Sequence, residues 1–106
     1  MKNPKNWNDF LQLCSGICLN GNLKYFFELF LTIEERENLA SRYCIIKALL
    51  DGELTQREIA AKFNVSIAQI TRGSNALKLM SVENKQQLKQ CLEAAQNAPK
   101  PLRKLS

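Results

Sequence analysis

Arg72 and Gly73 stand side by side where the surrounding spacing predicts the middle of a helix. A guanidinium pairs with carboxylates and phosphates and lies flat on aromatic planes. Glycine inside a helix costs about 1 kcal/mol relative to alanine, so its presence marks a place where something other than a side chain must come close to the backbone. The neighbouring Gln56, Arg57, Gln69, Thr71, Asn75 and Lys78 are all suited to hydrogen-bonding or charge-pairing with an external partner. Other chemistries are poorly supplied. Histidine is absent, which excludes a nucleophile paired with an imidazole base, and no carboxylates cluster in the manner of an acid–base site. Of the four cysteines, only Cys14 and Cys18 approach the spacing of paired zinc ligands. The expectation is therefore a non-enzyme without a metal site, its thiols reduced and buried.

Two capping boxes frame the recognition residues. Thr55 with Glu58, and Ser66 with Gln69, have the spacing at which a hydroxyl takes a helix N–H and the later side chain returns to the cap. They predict one helix from about Gln56 to Phe63 and another from about Ile67 to Leu77. Ile59, Ala60, Phe63, Val65 and Ile70 fall where two steeply crossing helices touch, with Ala60 small enough for close approach and Asn64 suited to positive φ at the corner. This is the helix-turn-helix pattern of DNA-binding proteins. Lys and Arg number 15 against 10 acids, a formal charge of +5 on 106 residues, which favours a polyanionic duplex through counterion release.

The remaining chain also reads as helix. Trp7, Phe10, Leu11, Cys14, Ile17 and Cys18 recur at steps of three and four, giving an amphipathic helix that ends near Asn20-Gly21. A second helix, about Asn22 to Phe30, is apolar on nearly every side and needs cover that a neighbouring subunit supplies. Thr32 and Glu35 form a third capping box for a helix that Gly52 stops after about Asp51. Its expected main stripe is Leu39, Tyr43, Ile46 and Leu50, widened by Ile45 and Leu49. A last helix, capped by Ser81, spans about Val82 to Asn97, with Leu88, Cys91, Leu92 and Ala95 along one side. The fold expected is all-α: a six-helix subunit in an interlocked homodimer. Residues 1–98 make a single DNA-binding and dimerisation domain, followed by a basic, flexible tail over 99–106. Neither a membrane span nor a signal peptide is recognisable, which implies a cytoplasmic protein.

Leu29 to Lys78, just under half the chain, resembles the tryptophan repressor family of bacterial transcription regulators. The likeness lies in LFLTIEERENLASR, GELTQREIA and SIAQITRGSNALK. It implies an intertwined dimer that binds palindromic operator DNA when L-tryptophan, as corepressor, occupies a pocket behind each reading head, with no other cofactor. By this resemblance Arg42 and Arg72 sandwich the indole and help to hold its carboxylate. Ile46 and Gly73 line the pocket, the indole filling the space of the missing Gly73 side chain. The ammonium meets the carbonyl end of the second helix around Leu29 and Leu31 of the partner subunit, with Thr32 closing the corner. For DNA the resemblance implies Arg57 at a guanine edge and Ile67, Ala68, Gln69 and Thr71 near other base edges. Gln56, Thr71, Gly73, Asn75 and Lys78 hold phosphates, and Arg72 also belongs to the DNA-binding residues. The resemblance also implies that these base contacts are often made through water.

Three positions depart from the family's pattern. Ala76 replaces a serine that accepts from the ligand ammonium, Ala60 replaces a lysine that reaches DNA, and Gln69 replaces a threonine. Two alternatives stand beside the tryptophan-gated reading: a ligand-independent helix-turn-helix protein, and a helical interaction protein whose basic surface meets an acidic partner.

Overall fold

A computed structural model describes residues 4–97; the expected basic tail lies outside them. Among the described residues there are six helices and no strand: α1 (Pro4–Asn20), α2 (Leu23–Phe30), α3 (Ile33–Asp51), α4 (Gln56–Phe63), α5 (Ile67–Leu79) and α6 (Val82–Asn97). Within the chain they form two compact units, one up to Leu39 and one from Ala40 onward, with α3 running through both.

The first unit is built on aromatic side chains. Pro4 opens α1, where a missing N–H costs nothing, and Gly21 ends it at φ 75°. Phe10 of α1 stacks on Phe26 of α2 at 5.8 Å and meets Phe30 edge-on at 5.4 Å. Trp7 extends the stack at 5.8 Å from Phe10. Phe26 is buried, whereas Tyr25 and Leu29 on the same short helix are 70% and 78% exposed in the single subunit. At the α2–α3 corner, Leu31 donates to the Phe27 carbonyl at 2.9 Å. The expected Thr32–Glu35 box is present, with Thr32 N–H to Glu35 Oε1 at 2.9 Å and Glu35 N–H to Thr32 Oγ1 at 3.0 Å. Arg36 reaches back to Glu28 across this corner at 3.8 Å.

The second unit packs α4 and α5 against the later turns of α3. Ile45 and Ala48 from α3, Ile59 from α4 and Ile70 from α5 form the buried cluster, and Leu49, Leu54, Ala60, Phe63 and Val65 pack around it. This corrects the expected α3 stripe. Leu39 and Tyr43 are exposed and Ile46 and Leu50 are half-buried, because the α4–α5 pair docks on the 45/48/49 edge, where Ala48 lets it approach closely. Gly52, at φ 70°, turns the chain out of α3. Helix α5 runs two residues beyond the expected end, to Leu79, before Met80 turns extended. On α6 no side chain is fully buried; Leu88 and Leu92 are half-buried and Cys91 and Ala95 exposed.

The thiols also differ from expectation. All four are free, but Cys14 and Cys44 are only half-buried and Cys18 and Cys91 are exposed. Among the described residues no cluster of Cys, Asp or Glu is arranged to hold a metal ion, and no helix is long and apolar enough to cross a membrane.

Candidate nucleic-acid interface

The reading pair is locked from both ends. In α4, Thr55 N–H donates to Glu58 Oε1 at 2.8 Å, and Glu58 N–H donates to Thr55 Oγ1 at 3.1 Å. In α5, Ser66 N–H donates to Gln69 Oε1 at 2.8 Å, and Gln69 N–H donates to Ser66 Oγ at 3.1 Å. Between them Asn64 adopts φ 54°, ψ 51°, a left-handed conformation that asparagine tolerates better than most residues. Val65 then donates to the Ala60 carbonyl at 3.2 Å. Ile59 and Ile70, each wholly buried, fix the crossing from beneath.

That crossing sorts the faces of α5. Ile70, Gly73, Ser74 and Leu77, at steps of three and four, are buried or half-buried; Ala68, Gln69, Thr71, Arg72, Asn75 and Lys78 are exposed. Ile67 is 49% exposed at the helix start. Gln56 and Arg57 are exposed in the first turn of α4. Most of the expected DNA-facing residues therefore share the outer surface of one folded element, with Gly73 behind it. Helix α5 carries no acidic residue and α4 carries only Glu58, already committed to its cap. Among the described residues the ion pairs are Lys5–Asp9, Arg36–Glu28 and Lys47–Asp51, so Arg57, Arg72 and Lys78 carry uncompensated charge outward. Ala60 is half-buried against the core, so its difference from a lysine is one of packing, whereas Gln69 lies on the outer face.

Behind this face lies the α3–α5 seam. A β-carbon on Gly73 would stand 3.1 Å from Ile45 Cγ2, 3.5 Å from Ile46 Cδ1 and 3.7 Å from Leu49 Cδ1. The space expected for an indole in place of the Gly73 side chain is thus taken by Ile45. At this glycine the two helices come into close contact. Ile45 and Leu49 were absent from the expected pocket because a helical glycine announces a close neighbour without saying which one. Arg42 is exposed one turn before Ile46 on the same side of α3, and Arg72 and Ala76 are exposed one turn apart on α5. At the seam Ile45, Ile46 and Leu49 of α3 meet Gly73 of α5, while Arg42, Arg72 and Ala76 lie on exposed positions of the same two helices. Leu29, Leu31 and Thr32 belong to the α2–α3 corner of the first unit. An open cavity of about 370 Å³ lies elsewhere, lined by Tyr43, Lys47, Asp51 and Phe63 among others and by none of the expected ligand residues.

Residues 5–92, spanning both capping boxes and the seam, match the family model described as Trp repressor protein. The chain belongs to the Trp repressor family. Its relatives include a Trp operon repressor homolog of Chlamydia caviae, 58% identical over 87 residues that cover 82% of this chain and 86% of that protein. Another from Chlamydia trachomatis serovar D is 61% identical over 80 residues, covering 74% and 85%. A more distant one from Histophilus somni is 42% identical over 91 residues, covering 86% of each. Trp repressors are regulators rather than enzymes, and this member is a DNA-binding transcriptional repressor with an all-helical fold.

Proposed function

We propose that this Trp repressor acts as a cytoplasmic homodimer that grips palindromic operator DNA when L-tryptophan is bound. The observation carrying this reading is the two-sidedness of α5. Its exposed cationic and polar face looks outward while its side-chain-less Gly73 abuts α3, so a molecule held at the α3–α5 seam sets where the outward face stands. Arg42 and Arg72 cover the indole and pair with the carboxylate, and Ile46 and Gly73 form the wall beside it. The indole lies along the seam, since Ile45 fills the Gly73 hollow. Leu29 and Leu31 of the partner subunit offer carbonyls to the ammonium, beside Thr32. Ala76 adds no hydroxyl there.

In the same reading, Arg57 meets a guanine edge and Ile67, Ala68, Gln69 and Thr71 approach neighbouring bases. Gln56, Arg72, Asn75 and Lys78 hold phosphates, with Gly73 on the inner side of α5 against α3. Dimerisation is supported by large apolar side chains left at the surface of one subunit, among them Leu29 at 78% and Tyr43 at 54% exposed. Residues 1–98 act as one domain completed by the partner, and the tail adds charge. Tryptophan opens the spacing of the two heads to successive major grooves about 34 Å apart. The size of the switch is set by its preference for that geometry over the closed one.

One observation favours a second reading, a ligand-independent reading head. Packing against Ile45 already accounts for Gly73. Titrating duplex DNA with the protein, with and without saturating L-tryptophan, separates the two. Tighter binding with tryptophan supports gating, and equal affinity leaves the frozen head.

A further inference from the structure

We propose that Gln69 is a specificity-determining residue that reads the operator as a hydrogen-bond donor only. The assignment rests on the operator-binding reading above and deepens it. An amide oxygen has two lone pairs, and both are engaged here. Ser66 N–H donates to Gln69 Oε1 at 2.8 Å, and the Ser66 hydroxyl donates to the same atom at 3.2 Å. A backbone nitrogen can only donate, so the atom facing it must be the amide oxygen, and turning the amide over would break the cap. The hydroxyl is itself held in place by accepting Gln69 N–H at 3.1 Å.

What Gln69 retains for a partner is its –NH₂ group, with two N–H donors. Gln69 is exposed in the first turn of α5 beside exposed Ile67 and Ala68, and α5 carries no carboxylate to capture those donors. A free glutamine reads adenine with one donor and one acceptor, giving to N7 and taking from the N6 amino group. Capped Gln69 lacks the acceptor. Its outward chemistry matches the O6 and N7 of guanine or the O4 of thymine and offers nothing to the amino group of cytosine. The residue that closes the helix start thus also sets which bases its helix tolerates.

The test is selection from a pool of palindromic duplexes with randomised half-sites, in saturating L-tryptophan, using the wild type, Gln69→Glu and Gln69→Met. Glutamate keeps the reciprocal cap but turns an acceptor outward. Methionine keeps the length and offers neither donor nor acceptor, and thermal unfolding verifies the fold of each protein. At one base pair per half-site the wild type should enrich guanine or thymine over cytosine by about tenfold. Gln69→Glu should invert that preference toward cytosine or adenine, and Gln69→Met should flatten it. The added charge of Gln69→Glu weakens binding to every duplex, so the readout is the ratio between bases. The same base preference in all three proteins overturns the assignment, as does a wild-type preference for adenine that Gln69→Met abolishes. If the wild type binds no duplex at all, the operator reading itself fails.

Discussion

The Cγ2 methyl of Ile45 stands 3.1 Å from where a β-carbon on Gly73 would be, and Ile45 is 1% exposed, so it has little room to yield. Gly73→Ala therefore sets two effects against each other. Alanine gains about 1 kcal/mol of helix propensity and loses more by forcing a buried isoleucine off its rotamer, overpacking costing about 1–3 kcal/mol. The net expectation is destabilisation in urea unfolding. Ile45→Leu removes the β-branch methyl at nearly constant volume, and in that background Gly73→Ala should become stabilising. A coupling of about 1 kcal/mol or more in the double-mutant cycle identifies close packing as the reason for the glycine. Additive effects would reject it.

A second prediction concerns the corner of the reading pair. Asn64 sits at φ 54°, where a β-carbon is disfavoured by about 1–2 kcal/mol. Asn64→Ala, deprived of asparagine's local hydrogen bonding, should lose about 1 kcal/mol of unfolding free energy. Asn64→Gly should stay within about 0.5 kcal/mol of wild type, the strain it relieves offsetting the chain entropy it adds. Equal loss in both variants would mean that the asparagine side chain, rather than its backbone, holds the corner.

How much of this was legible in the residues follows from what each signal encodes. The starts of α4 and α5 were readable because a capping box places two side chains three residues apart, and both boxes form. The left-handed Asn64 was readable for the same local reason. The end of α5 was not, since Met80 turns extended with no glycine to announce it. The buried edge of α3 was not either. Its apolar residues encircle much of the helix, and only the docked α4–α5 pair decides that Ile45 and Ala48 are the ones covered. Gly73 shows the division clearly: its type foretold a close approach, but the approaching group is a side chain twenty-eight positions earlier in the sequence, which no local pattern specifies.

The ligand preference gives a third prediction. Ala76 is exposed one turn beyond Arg72 on α5, at the position where the family's pattern carries a serine. Ala76→Ser should restore one hydrogen bond to the ammonium, worth about 1.5–3 kcal/mol, and tighten L-tryptophan binding roughly ten- to hundredfold by calorimetry. Indole-3-propionate has no amino group, so its affinity should stay within about twofold. Equal gains for both compounds would place the new hydroxyl against the carboxylate or the indole instead.

Charge at the interface yields the last. Arg57 lies in the first turn of α4 and Lys78 near the end of α5, both exposed and outside the ion pairs of the described residues. In the proposed complex they differ in kind: Arg57 meets a base edge, while Lys78 neutralises a phosphate. Each phosphate contact removed lowers the slope of log affinity against log salt by about 0.9. Lys78→Ala should therefore weaken binding to operator and random duplex alike and reduce that slope by about one. Arg57→Ala should cost about 1–3 kcal/mol on the operator and much less on random duplex, with relaxed preference at the guanine it contacts. The difference follows from geometry, since a bidentate base contact exists only where the matching edge is present, whereas every duplex carries the phosphate. Identical losses on both duplexes for Arg57→Ala would assign it to the backbone, and the source of base selectivity would then lie in the first turn of α5.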